Sequence, residues 1–293
     1  MALCVWPKAV ADFEYDWIRY LLPADCKIVN EEDKILLHAA QPCVFVFNFW
    51  VPFKDIIATV NHDYGVIYLG DEMLSDFMDY FVNDPHCKFV WRNYFNPRYF
   101  KIPKVKLFPC AYKKGFGVEI PRDVQKEYAW SFAGAVHGPQ RTDAINAFVA
   151  SGLNPHKIHS TPPQTFNAAE GLSTYDYKLL IAQSKYVVCP PGNKIMECSR
   201  LYETLEGGAV PVVLDNYLLV TINPSYHHGV FPPASVVGSI PFIIAKSWPE
   251  AIQKVKNIEE GGEYETLLAK CKAHWVKCKA YWKAGIEKDV GSI

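Results

Sequence analysis

The chain has 293 residues, half of them hydrophobic and 14% aromatic, with 30 Lys and Arg against 31 Asp and Glu. Such a chain buries a substantial core and is long enough for one large domain or two of about 100–200 residues each. A formal net charge of −1 excludes a bulk field that favours nucleic acid, so a phosphate-binding site would have to be local.

The opening MALCVWPKAVADFEYDW carries acidic residues where a signal peptide needs an uninterrupted apolar core, and no run reaches the ~20 apolar residues of a membrane span. Asp12, Glu14 and Asp16 alternate there with Phe13, Tyr15 and Trp17 and read as an ordinary opening segment. The nine cysteines are scattered, odd in number and never spaced CxxC; Cys43 in PCVFVFNF and Cys189 in YVVCPP lie inside apolar runs, as buried thiols do. With no Asn-x-Ser/Thr acceptor whose middle residue is not Pro, the expectation is a reducing, cytoplasmic setting.

Residues 44–49 (VFVFNF), 66–71 (VIYLGD) and 88–94 (KFVWRNY) are short apolar or β-branched runs, which predict strands. Between the last two, Met73–Val82 places Leu74, Phe77, Met78 and Phe81 at helical spacing, so the order is strand, helix, strand, the mark of a parallel sheet. The stretch 112–127, rich in Gly and charge and containing Pro121, suits a linker. The alternation then restarts: strands at 128–134, 157–161, 185–189, 210–215 and 241–245, helices near 139–150, 174–184 and 195–206, and another from Trp248. Leu267, Leu268, Cys271, Trp275, Cys278 and Trp282 give a last helix one apolar face. The expected division is a first α/β domain over 1–118, a second over 119–265, and a helix over 266–293 packing back on the first.

The segment 185–215, KYVVCPPGNKIMECSRLYETLEGGAVPVVLD, reads as strand, Pro-Pro-Gly turn, helix, Gly-Gly stop, strand. A helix N-terminus there offers unpaired N–H groups and partial positive charge to a diphosphate, and Gly192 lets the backbone approach a ligand. Arg200 and Glu203 share a helical face, so a guanidinium for diphosphate and a carboxylate for ribose hydroxyls lie side by side; a plain i,i+3 salt bridge on a surface helix is the alternative.

This segment resembles the donor-binding signature of exostosin-like glycosyltransferases, a strand ending in a Pro-containing turn, a helix with Arg and Glu, a Gly-rich stop and a Pro-Val strand. Cys189-Pro190-Pro191-Gly192, Arg200, Glu203, Gly207-Gly208 and Pro211-Val212 carry the likeness. YLGDE at 68–72, WRNYF at 91–95 and FPCAY at 108–112 resemble the family's xylosyltransferases, including cytosolic viral members, and SFAGAVHGPQR at 131–141 resembles its opening of the donor domain. The likeness runs over roughly residues 65 to 216. It implies an α/β GT-B fold of two Rossmann-like domains facing each other across a cleft, and inverting transfer of a sugar from a UDP-sugar, first choice UDP-xylose, to a hydroxyl of an oligosaccharide or glycoprotein glycan. It implies that the C-terminal domain (119–265) binds the nucleotide sugar and the N-terminal domain (1–118) the acceptor; no metal and no further cofactor are expected.

Asp71 and Glu72 end a strand, the end that faces the ligand crevice in an open α/β sheet, where one of them can act as general base or merely cap the next helix. Strand alternation points the two oppositely, so only one is expected to reach the acceptor. Gly134 and Arg141 belong to the predicted donor side, Arg141 either meeting the phosphates or standing in solvent, while Arg92 and Asn93 end another strand and are candidates for acceptor hydroxyls. His62 and the pair His227-His228 are not assigned a catalytic role. No HExxH, CxxC or DxD after a strand supports a metal. Two other classes stay open, a non-catalytic carbohydrate- or nucleotide-sugar-binding protein, favoured if Arg200 and Glu203 prove buried against protein, and a nucleotide-dependent oxidoreductase, for which the GxGxxG fingerprint is missing.

Overall fold

The computed structural model describes residues 3–6, 13–29, 42–48, 57–58, 60–70, 78–99, 101–117, 124–161, 171–192, 198–215 and 231–293. The chain divides into two compact units, one made of Met1–Cys110, His227–Pro232 and Cys278–Ile293, the other of Ala111–Tyr226 and Pro233–Lys277. Each is built on its own parallel sheet.

In the first unit the strands are β1 (Leu3–Val5), β2 (Lys27–Val29), β3 (Cys43–Asn48), β4 (Tyr64–Leu69), β5 (Cys87–Arg92) and β6 (Val105–Leu107), with helices α1 (Tyr15–Leu21) and α2 (Asp79–Asn83) among the described residues. The sheet order is β2-β1-β3-β4-β5-β6, parallel throughout. Every residue of β3 (CVFVFN) and β4 (YGVIYL) is buried, which is why these strands read as continuous apolar runs: a parallel sheet is covered on both faces. β1, β2 and β6 have three residues each, too few to show a period, and went unpredicted. The predicted helix over Met73–Val82 is described only in part, as α2.

The second unit holds β7 (Tyr128–Ala135), β8 (His156–Thr161), β9 (Ser184–Val188), β10 (Val210–Leu214) and β11 (Ile243–Ala245), in the parallel order β11-β10-β9-β7-β8. Its helices are α3 (Pro139–Ala150), α4 (Thr174–Ala182), α5 (Ser199–Glu206), α6 (Ala234–Val237) and α7 (Trp248–Glu260). Local chemistry sets their starts. Ser173 Oγ accepts from the Asp176 N–H at 3.0 Å to open α4, and Ser247 Oγ accepts from Glu250 N–H at 3.3 Å to open α7, which also carries Pro249 in its first turn.

The last helix, α8 (Tyr264–Val290), buries Leu268, Cys271, Trp275, Cys278, Trp282, Ile286 and Val290 along one stripe. Its residues up to Lys277 belong to the second unit and those from Cys278 to the first. Within the first unit, Trp282 meets Trp17 edge-on at 6.1 Å, and Asp289 accepts from Trp91 Nε1 at 2.7 Å and from Lys106 Nζ at 2.6 Å. Gly285 has no side chain to obstruct this: a Cβ there would lie 2.9 Å from the Trp91 ring. No described helix is long and apolar enough to cross a membrane.

Chain order puts a switch point in each sheet. In the first, β2 and β3 lie on opposite sides of β1; in the second, β8 and β9 flank β7. The connections therefore diverge at the carboxyl ends of β1 and β3 and of β7 and β9, where open α/β sheets leave room for a ligand.

Candidate functional site

The six donor-side residues picked out from sequence gather at the second sheet's switch point. Gly134 lies near the end of β7 and Arg141 in the first turn of α3; Pro191 and Gly192 follow β9, and Arg200 and Glu203 stand on α5. The helix is not a surface helix. Residues 200–205 are all buried, with Arg200 8% and Glu203 5% exposed, so the reading as a solvated i,i+3 salt bridge gives way to a buried polar arrangement.

Arg200 Nε donates to the Ala133 carbonyl at 3.0 Å, and its guanidinium carbon stands 4.6 Å from the centre of the Phe132 ring. Gly134 makes that approach possible. Its φ of +140° disfavours other residues, and a Cβ there would fall 2.3 Å from Arg200 Nη2. Arg141, half-buried, reaches the same strand end by donating from Nη1 to Ala135 O at 2.7 Å. Two guanidinium groups thus converge where β7 stops, beside the N-terminus of α5. Thr204 ties the helix down, its hydroxyl donating to Arg200 O at 2.6 Å and lying 3.6 Å from Cys189 Sγ at the end of β9.

Glu203 turns toward α4. The Tyr177 hydroxyl donates to Oε2 at 2.9 Å and the Lys113 backbone N–H to Oε1 at 3.4 Å. Burial pushes the Glu203 carboxyl up, while the Tyr177 hydrogen bond, then Lys113 and Arg200, pull it back toward the charged form. Burial and the Glu203 charge hold the Tyr177 phenol well above its usual value, so it stays a donor. Lys113 Nζ sits 5.4 Å from the centre of the Tyr177 ring. Sequence reasoning missed Tyr177 and Lys113, which lie 26 and 90 residues from Glu203 with no motif joining them.

At the first sheet's carboxyl edge, Asp71 and Glu72 lie outside the described residues, directly after Gly70. Arg92 and Asn93, expected to meet acceptor hydroxyls, are instead fully buried and spend their polar atoms on the fold. Arg92 Nε donates to Tyr94 O at 2.9 Å and Nη1 contacts Met78 Sδ at 3.4 Å. Asn93 Oδ1 accepts from the Gly70 N–H at 2.9 Å, and its Nδ2 donates to Glu14 Oε1 at 2.9 Å. The reason is local: strand-end polar side chains turned inward to satisfy the backbone as β4 and β5 end. Glu14, read from sequence as part of an ordinary opening segment, is a buried carboxyl pushed up to about 7, by burial above all. His62 sits on a turn with Nδ1 2.9 Å from Asp63 O, and His227 and His228 fall outside the described residues. Among the described residues no group of three or more His, Cys, Asp and Glu is placed to hold a metal ion.

Two parallel α/β units with a polar switch point place this chain among GT-B folds, and solved structures agree. It matches Anabaena HepE in complex with UDP-glucose with a TM-score of 0.55 at 8% identity over 100% of both chains. An α1,3-fucosyltransferase matches with a TM-score of 0.50 at 11% identity, covering 91% of this chain and 81% of that one. An E. coli trehalose-6-phosphate structure bound with UDP-2-fluoro glucose matches at 0.51 and 9% identity, over 97% and 80%. At such identities these likenesses show the fold alone.

Sequence goes further. Residues 108–273 match the model of the RXYLT1 C-terminal domain, and the chain belongs to that family. The exostosin-like resemblance read from the 185–215 segment is thereby borne out. Human ribitol-5-phosphate xylosyltransferase 1 is 38% identical over 165 residues, which cover 52% of this chain and 35% of the human protein, so the match spans about a third of that relative's length. All six donor-side residues fall within 108–273; Asp71, Glu72, Arg92 and Asn93 do not.

Proposed function

We propose that the chain is a glycosyltransferase that takes its sugar from a UDP-sugar, with UDP-xylose the first choice, and places it with inversion on a hydroxyl of a glycan acceptor. The observation that carries this reading is the convergence of Arg200, Arg141 and the start of α5 at the switch point of the second sheet, inside the stretch that matches the family. Two guanidinium groups and a helix N-terminus suit a diphosphate, and they would stabilise the charge that grows on it as it departs. The name of the human relative, a xylosyltransferase, supports xylose, and the shared fold makes the UDP-glucose of the HepE complex the reason to try uridine nucleotides first.

In this reading the acceptor hydroxyl attacks the anomeric carbon as Asp71 or Glu72 removes its proton, and the bond to the diphosphate breaks on the opposite face. The reading calls for neither metal nor further cofactor, since Arg200 and Arg141 would offset the phosphate charge; the proposed setting is cytoplasmic. Calorimetry with UDP, UDP-xylose, UDP-glucose, UDP-glucuronate, GDP-mannose and NAD, first in chelator and then with divalent metal, tests it. Binding of one UDP-sugar in chelator, followed by its transfer or slow hydrolysis, is expected; binding of NAD alone would overturn it.

One observation favours a second reading, a non-catalytic nucleotide-sugar-binding protein: Arg200 and Glu203 are both buried against protein. The two readings part on turnover. Tight UDP-sugar binding with no hydrolysis or transfer over a long incubation supports the binder.

A further inference from the structure

Glu203 is a carboxylate whose surroundings are half built by protein. An ionised carboxyl offers about four acceptor positions, two on each oxygen. Among the described residues one position on Oε2 is taken by the Tyr177 hydroxyl at 2.9 Å and one on Oε1 by the Lys113 N–H at 3.4 Å. One position on each oxygen remains, the arrangement that receives a pair of neighbouring hydroxyls. The two donors also fix the plane of the carboxyl group: α4 holds one oxygen and the segment before Phe116 holds the other. That segment is itself anchored, since Lys178 Nζ, from the residue after Tyr177, donates to Phe116 O at 2.6 Å, and the Phe116 and Tyr177 rings pack at 5.9 Å.

We propose that Tyr177 is a positioning residue that orients Glu203 to accept both hydroxyls of the donor's ribose, and so makes the site select ribonucleotides over 2′-deoxyribonucleotides. The proposal rests on the reading of this site as the nucleotide-sugar site. Tyr177 does not touch the ligand; it acts through Glu203. Without its hydroxyl the carboxyl group keeps one support, swings about its χ3 angle, and meets the ribose with one oxygen at a time.

The test is calorimetry with UDP and 2′-deoxy-UDP on the full chain, for the wild type, Tyr177→Phe and Glu203→Gln. The wild type is expected to prefer UDP by roughly tenfold or more, as a lost buried hydrogen bond to a charged group requires. Tyr177→Phe is expected to lower that preference to within about threefold while its melting temperature stays close to the wild type's. In transfer assays its KM for the UDP-sugar should rise about as much as its UDP affinity falls, with kcat little changed. A Tyr177→Phe protein that keeps the full ribose preference overturns the proposal, whatever its stability. Should that variant not fold, Lys113→Pro, which deletes the other donor, carries the same readout. If instead the wild type binds both nucleotides equally, and Glu203→Gln does too, the nucleotide-site reading has failed and the proposal falls with it. If the wild type discriminates and Glu203→Gln does not, the site reading stands and the Tyr177→Phe ratio decides alone.

Discussion

The carboxyl edges of the two sheets use the same device for different ends. Each buries ionisable side chains and satisfies them with strand-end backbone, yet their charge differs. At the second edge Arg200 and Arg141 bring two guanidinium groups to the end of β7, through Ala133 O and Ala135 O. At the first, the chain Glu14–Asn93–Gly70 runs through a neutral amide, and Arg92 is turned inward onto Tyr94 O and Met78 Sδ. On the proposed function the cationic edge takes the nucleotide diphosphate, and the edge whose polar groups are already engaged takes the acceptor. The lesson is that strand-end position marks both edges, and only the hydrogen bonds tell which one is poised for an anion.

The sharpest way to break this division is to remove the proposed base. The Asp71→Ala, Glu72→Ala double variant should lose about 10²–10⁴-fold in transfer while its calorimetric affinity for UDP is unchanged. Full activity would return both carboxylates to capping. On the other edge, Arg200→Ala should lose on the order of 10²-fold in kcat/KM together with UDP affinity. Gly134→Ala should reproduce that loss with Arg200 intact, since the added Cβ would meet Nη2 at 2.3 Å and the backbone φ is +140°. A destabilisation of roughly 1–3 kcal/mol, read by denaturant melts, should accompany it. Wild-type activity in Gly134→Ala would detach the guanidinium from the donor.

The smallest effect concerns Glu14. Its carboxyl is raised from 4.5 to about 7, so the folded chain prefers it protonated. That preference stabilises the protein fully below pH 4.5 and is lost as pH rises through about 7. Glu14→Gln keeps an acceptor for Asn93 and cannot ionise. It should therefore be more stable than the wild type near pH 8, by on the order of 1–3 kcal/mol, with the gap closing near pH 5. A melting difference independent of pH would show that Glu14 titrates normally.

What the sequence made legible follows from range. The alternation of β3, β4, β7, β9 and β10 with helices is a local signal, because strands covered on both faces are continuous apolar runs. The 185–215 segment was legible for the same reason, its strand, turn, helix and strand all lying within one stretch. Tyr177 and Lys113 were not legible, since their relation to Glu203 exists only after α4 and the linker fold against α5. Arg92 and Asn93 show the opposite limit: the strand end was right, but period-two alternation says which face a side chain takes, not whether a neighbouring backbone amide claims it. Glu14 was hidden by its setting, an acidic residue among acidic residues whose burial only the folded unit creates.

The nine cysteines have a practical use. All are free, eight are buried, and Cys198 at the start of α5 is the one that is half-buried, with Sγ 3.5 Å from Pro190 O. Burial raises the Cys198 thiol, so it alkylates slowly near neutral pH, though its residue is the least buried of the nine. A thiol-specific label is expected to reach Cys198 first, two residues before Arg200, and on the proposed function a bound nucleotide should slow that labelling, a readout that needs neither an engineered cysteine nor turnover.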